Sequence, residues 1–224
     1  MSRQRRRKVR NISGIVVLDK ANGLSSNAAL QEVKRLYEAN KAGHAGSLDP
    51  LATGVLPVCL GEATKVSQFL LDSDKRYRAR IKLGIRTDTG DSEGSIIEQN
   101  EGISVSRKAI ERALTKFKGE VEQVPPMHSA IKMNGVPLYK LARKGIAVER
   151  EPRLVTLYQI CLVEFVNSEL ELEISCSKGT YIRTIADDLG QILGCGAHVI
   201  ELRRTQAGVF TEKDSISSEE LALE

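Results

Sequence analysis

The stretch HAGSLDPLATGVL, residues 44–56, sets one histidine and one aspartate among small residues ahead of an apolar run. Pro50 biases Asp49 toward extended backbone, and Ala45, Gly46 and Ser47 are small enough for another backbone to approach closely. Such a loop can present one carboxylate to a bulky ligand. Asp-Pro is also a common turn pair, so these residues alone leave both readings open. A second chemical signal is KRYRARIKL, residues 75–83. Its strict alternation sets Arg76, Arg78, Arg80 and Lys82 on one strand face and Tyr77, Ala79, Ile81 and Leu83 on the other. Four cations on one face suit a phosphate-contacting surface or a solvated sheet face. Cys59, Cys161, Cys176 and Cys195 stand too far apart for a CxxC pair, and no histidine lies at ligand spacing from them. They read as reduced core thiols, and no metal site is expected.

The elements that must hold these residues follow from periodicity. GIVVLDK opens as a buried strand over 14–18, followed by an Asn22-Gly23 turn and a Ser25-Ser26 cap. A helix is expected over 27–37, with Leu30, Val33, Leu36 and Tyr37 on one face. Residues 62–71 read as a short amphipathic helix, 86–94 as a polar turn and 95–98 as a short strand. A helix over 106–118 buries Ile110, Ala113, Leu114 and Phe117 and stops at Gly119. PPMHSAIKMNGVPLYKLARKG, residues 125–145, contains an Asn134-Gly135 hairpin signal and a short basic helix, the pattern of a mobile insertion. Strands over 154–165 and 169–176, a helix over 181–193 and a strand over 198–205 complete the body. Ser217 and Glu220 form a capping-box spacing near the end.

The 224 residues, 41% apolar, suffice for a buried core in a soluble globular protein. No apolar run approaches the roughly 20 residues of a membrane span, and the N-terminus lacks a secretory signal pattern, so the expected location is the cytoplasm. MSRQRRRKVR holds six cations and no acid, which leaves a net charge of −2 on the remaining residues out of a total of +4. Residues 1–10 read as a disordered basic tail, able to hold a nucleic-acid backbone or simply to aid solubility. Residues 11–224 read as one α+β domain.

Six segments then occur in order: GIVVLDKANGLSSN (14–27), AGHAGSLDPLATGVLPVCLGEATK (42–65), KRYRA (75–79), PPMHSAIKMNGVPLYKLAR (125–143), CSKGTYIRTIADDLG (176–190) and LRRT (202–205). Together they resemble the bacterial tRNA pseudouridine 55 synthases, the TruB-type family, over nearly the whole span from Gly14 to Thr205. The GSLDPLATG block is highly specific. The resemblance implies a pseudouridine synthase fold: a central mixed, mostly antiparallel sheet flanked by helices, with a mobile thumb-like insertion. It implies isomerisation of one T-loop uridine of tRNA, by cleaving the glycosidic bond, turning the base and rejoining it through carbon. That chemistry needs no cofactor, in keeping with the lack of a P-loop, a dinucleotide fingerprint and metal-ligand clusters.

Carried over by motif position, Asp49 is the essential carboxylate, attacking a sugar carbon or removing a sugar proton. The sequence leaves those two routes open. Arg183 matches the arginine that pairs with that aspartate and favours its ionised form. Tyr77 matches the tyrosine on which the extruded base stacks, His44 a histidine contacting RNA beside it, and Tyr181 and Leu202 residues shaping the base pocket. Lys20 supports the site, and Asp91 matches a loop acid implicated in RNA contact. Two departures stand out. The usual Lys-Pro-x-Gly is Lys20-Ala21-Asn22-Gly23 here, a freer backbone, and the PUA-type RNA-binding domain usual in the family does not follow Glu224. The expected partner is the tRNA T-arm, engaged by a monomer without protein partner or membrane. The alternatives are a non-catalytic tRNA-folding chaperone of the same fold and a guide-RNA-dependent relative. The Pro125–Lys144 insertion and the lack of added ribonucleoprotein-binding segments disfavour the second.

Overall fold

The computed structural model describes residues 9–223. In chain order its elements are β1 (Gly14–Lys20), α1 (Ser26–Leu36), β2 (Ala42–His44), β3 (Thr53–Leu60), α2 (Ser67–Leu71) and β4 (Lys75–Leu83). Next come β5 (Ile85–Thr87), β6 (Ile96–Gln99), α3 (Arg107–Leu114), β7 (Gly119–Gln123), β8 (Lys132–Met133), β9 (Val136–Pro137), α4 (Leu138–Ala142) and β10 (Arg153–Val166). The last are β11 (Glu169–Cys176), α5 (Ile182–Ile192), β12 (Ala197–Ala207), β13 (Phe210–Thr211), β14 (Ile216–Ser217) and α6 (Ser218–Leu221). They fall into two compact units, one running to Lys75 and resuming at Arg203, the other Arg76–Leu202.

In the first unit β3 is the hub. Its residues from Gly54 to Leu60 are all buried, and such a continuous apolar run is what a strand covered on both faces needs. One edge of β3 pairs antiparallel with all of β1, from Gly14 opposite Leu60 to Lys20 opposite Gly54. β2 pairs with its last residues, Ala42 opposite Leu60 and His44 opposite Val58, and β12 pairs parallel with its first, Arg203 opposite Thr53 and Arg204 opposite Gly54. The eight residues between β2 and β3 form the loop that carries Asp49. Gly54 has φ +98°, and a Cβ there would collide with the carbonyl oxygen of Arg204, so only glycine admits this strand approach. β14 pairs parallel with β1. α1 starts at the Ser25 cap, whose side chain accepts from Ala28 N, and buries Ala29, Leu30 and Val33.

In the second unit the order is β12-β4-β11-β10-β7, with β10 antiparallel to both β11 and β7. β4 alternates as its sequence requires, with Ala79, Ile81 and Leu83 in the core, the Ile and Leu side chains each worth about 1.5–3 kcal/mol when fully buried. Three of the four outward cations have acids beside them, and Arg76 is exposed. Arg78 pairs with Glu171 and Glu173, Arg80 with Glu171 and Glu201, and Lys82 with Glu169, at 3.1–3.5 Å. The flanking strands β11 and β12 thus answer most of the charge of this face. Gly190 in α5 abuts Gly196 and Ala197 so tightly that a Cβ would overlap their backbone, which lets the helix lie against the start of β12.

Three sequence expectations are corrected. Residues 62–71 are a 3₁₀ turn over Gly61–Val66 followed by the short α2, with no buried side chain and Phe69 77% exposed, so no amphipathic helix forms there. α3 ends at Leu114, and a 3₁₀ turn leads to Gly119, which opens β7 instead of merely ending a helix. In the basic tail, residues 1–8 lie outside the described residues, while Arg10 forms a parallel bridge with Ala39. The Asn134-Gly135 signal does make a hairpin, β8–β9, both turn residues having positive φ.

Candidate active site

Asp49 is half-buried near the tip of the β2–β3 loop, flanked by buried Leu48, Leu51 and Ala52 and by exposed Pro50. Its carbonyl accepts from Ala52 N at 3.1 Å, closing a tight turn. Neighbouring elements hold the rest of the loop. The Ser26 hydroxyl at the start of α1 both donates to the Leu48 carbonyl at 3.0 Å and accepts from the Leu48 amide at 2.7 Å. Gly23 N donates to the Pro50 carbonyl at 2.9 Å.

Two buried cations fasten the same segment. Lys20, the last residue of β1, is fully buried and donates to the carbonyls of Leu24 at 2.6 Å, Ala21 at 2.8 Å and Pro50 at 3.2 Å. Arg204 is buried in β12 and donates to Val55 at 2.7 Å, Gly46 at 3.1 Å and Ser47 at 3.5 Å. A buried cation is tolerable only when polar groups surround it, and here those groups are the backbone before and after Asp49. His44 ends β2 with its Nδ1 buried and lacking a hydrogen-bond partner. Burial first, and then the charge of Arg204, hold its pKa below the ordinary 6.5, so the imidazole is neutral at pH 7.

In the second unit Arg183 is the second residue of α5 and only 4% exposed. Its Nη1 donates to the Thr89 carbonyl at 2.9 Å and its Nη2 to the His128 carbonyl at 2.8 Å, while the Asp91 carboxylate lies 3.5 Å away. Asp91 is 3% exposed, and its Oδ1 accepts from the Thr89 hydroxyl at 2.6 Å and Glu93 N at 3.1 Å. The 88–95 turn is thereby folded around an acid beside the arginine. Tyr181 precedes α5, with its backbone held by the Gln123 side chain. Tyr77 is half-buried on β4, and Leu202 is buried on β12. A groove of about 650 Å³ between α3 and the end of α5 displays Lys108, Arg112 and Lys116, but none of the candidate site residues lines it.

The sequence matches the TruB family pseudouridylate synthase N-terminal domain over residues 34–182 and the tRNA pseudouridylate synthase B C-terminal domain over residues 183–224. The chain belongs to the TruB family. It is 59% identical to the tRNA pseudouridine synthase B of Vibrio vulnificus over 217 residues, covering 97% of this chain and 69% of that one. It is 56% identical to that of Tolumonas auensis over 221 residues, covering 99% and 68%. Among solved structures it resembles a Cbf5-Nop10-Gar1 complex with TM-score 0.73 and 32% identity, over 92% of this chain and 52% of the other. The TruB-family chain therefore spans about two thirds of these curated relatives and about half of the solved Cbf5 chain.

Within this TruB-family fold, the residues carried over by motif group by unit. Lys20, His44 and Asp49 share the first, where Lys20 grips the Asp49 loop directly. Tyr77, Asp91, Tyr181, Arg183 and Leu202 share the second, where Asp91 and Arg183 form an ion pair. The motif matches do not single out Gln123, Ser26, Arg204 or the His128 carbonyl. LRRT contains Arg204 but says nothing of its burial, and a backbone carbonyl has no sequence signature. Among the described residues no group of three or more histidine, cysteine or acidic side chains could hold a metal, and no helix is long and apolar enough to cross a membrane.

Proposed function

We propose that the protein converts uridine 55 in the T-loop of tRNA to pseudouridine. Asp49 is the reacting carboxylate, either attacking the sugar as the glycosidic bond breaks or removing a sugar proton. Uracil then turns and bonds to the ribose through C5, releasing Asp49 from the sugar; the C5 hydrogen leaves as a proton and N1 takes one up, so no oxidant or group donor enters. The observation that carries this reading is the hold on the Asp49 loop by Lys20, Ser26 and Arg204, which fixes a single half-buried carboxylate on a rigid base.

Extruding the uridine costs a few kcal/mol, and stacking on Tyr77 offsets about 1–3 kcal/mol of that. By its motif position Arg183 is the site's cation, held by the Thr89 and His128 carbonyls. Tyr181 and Leu202 shape the base pocket, and neutral His44 contacts the RNA beside it. Asp91, expected to contact RNA, is only 3% exposed and instead pairs with Arg183, so its role here is to hold that arginine. Identity of 59% to a tRNA pseudouridine synthase B against 32% to the Cbf5 chain of a multiprotein complex supports direct action on tRNA. We take the protein to act as a cytoplasmic monomer without protein partners. The test is to incubate an unmodified tRNA transcript with the protein and map pseudouridine by carbodiimide-blocked primer extension. A single stop at the T-loop uridine supports the reading, and no stop there sinks it.

A further inference from the structure

We infer that Gln123, at the end of β7, is a positioning residue that sets the start of α5 and with it Arg183. The inference rests on the isomerase reading above. The cap residue of α5 is Tyr181, with φ −98° and ψ 108°, and its side chain makes no cap hydrogen bond. A helix start leaves backbone N–H groups in need of partners. The Gln123 side chain, 2% exposed, supplies one. Its Oε1 accepts from Tyr181 N at 3.0 Å, and its Nε2 donates to the Tyr181 carbonyl at 3.3 Å.

In a capping box, a Glu or Gln three residues into the helix reaches back to the cap N–H. Here that position is Thr184, and a glutamine 58 residues distant in sequence does the work. At neutral pH a primary amide offers donor and acceptor side by side, as a neighbouring strand's peptide would, whereas an ionised carboxylate only accepts. The Tyr181 carbonyl it grips also accepts the first intrahelical bond, from Ile185 N at 3.2 Å. Gln123 therefore fixes the peptide from which the helix departs.

The same stretch of chain grips the helix start a second time. Five residues past Gln123, beyond Pro125 and Pro126, whose rings fix their φ angles, the His128 carbonyl takes Nη2 of Arg183 at 2.8 Å. Arg150 Nη1 anchors the Pro125 carbonyl at 3.2 Å. One short segment thus holds the backbone of Tyr181 and the guanidinium of Arg183 together. Releasing the first hold tilts the second.

The test compares wild type with Gln123→Leu and Gln123→Glu by tritium release from tRNA labelled at uracil C5, together with amide exchange in the folded protein. Gln123→Leu is expected to lower kcat roughly tenfold to a hundredfold, to leave the KM for tRNA unchanged and to speed exchange at Tyr181. In Gln123→Glu an ionised carboxylate still accepts the Tyr181 amide but faces its carbonyl without a proton. Burial at this 2% exposed position raises the carboxyl's pKa, and protonation restores the second bond, so the ratio of variant to wild-type kcat rises as pH falls from about 8 to about 5.5. A rise in KM with kcat intact, or a pH-independent ratio, would overturn the positioning role. Absence of release from wild type would overturn the isomerase reading, whereas wild-type exchange at Tyr181 in the Leu variant would overturn the clamp itself.

Discussion

The guanidinium of Arg183 spans the backbone carbonyls of Thr89 and His128, donating to one at 2.9 Å and to the other at 2.8 Å. It thereby joins the turn that carries Asp91 to the root of the 125–145 insertion. A lysine has no planar fork and cannot keep both bonds and the Asp91 pairing. Arg183→Lys is expected to lower single-turnover tritium release about a hundredfold or more while retaining tRNA binding. A rate within a few-fold of wild type would contradict this role.

Lys20 is fully buried and donates to three carbonyls, one of them Pro50 beside Asp49. Methionine fills similar volume but donates nothing, so Lys20→Met leaves those carbonyls short of a partner. The expected loss is about 2–4 kcal/mol in urea unfolding, with activity falling as the loop loosens. An unchanged unfolding midpoint would show that the cation is not what holds the loop.

Arg78, Arg80 and Lys82 of β4 are answered by Glu169, Glu171, Glu173 and Glu201. The double variant Arg78→Gln, Arg80→Gln should therefore leave the salt dependence of tRNA binding almost unaltered, since paired cations release few counterions. If each arginine met a phosphate, the log–log slope would drop by roughly 0.7–0.9 per residue. A titration of binding against salt separates these outcomes.

His44 titrates below 6.5 in the folded protein because of burial and then Arg204. Below 6.5 the unfolded chain binds this proton more readily than the native state, so stability is lost as pH falls from 6.5 through the lowered value. The melting temperature of His44→Gln should consequently fall less than that of wild type on acidification across that window. Parallel curves would remove His44 from the acid response.

Much of this frame was legible in the residues themselves. The alternation of 75–83 gave β4 and its core face, Ser25 gave the start of α1, and Asn134-Gly135 gave a hairpin, because each is local steric or hydrogen-bonding chemistry. The parallel pairing of β12 with β3 was not, since it depends on the close approach allowed at Gly54 by a residue 150 positions later. The partners of Arg78 and Arg80 lie on strands remote in sequence, so a charged face could not be told from a neutralised one. Arg204 and Gln123 escaped for a related reason. A polar residue type says nothing of burial, and their partners are backbone atoms that every sequence possesses.

The most direct measurement is tritium release from tRNA labelled at uracil C5 by wild type and by Asp49→Asn. The substitution keeps the shape of the turn but removes the ionised carboxylate. Stoichiometric release by wild type, with essentially none from the variant and RNA binding preserved, is the result expected. Equal release by both proteins would show that the carboxylate on this loop does not carry the reaction.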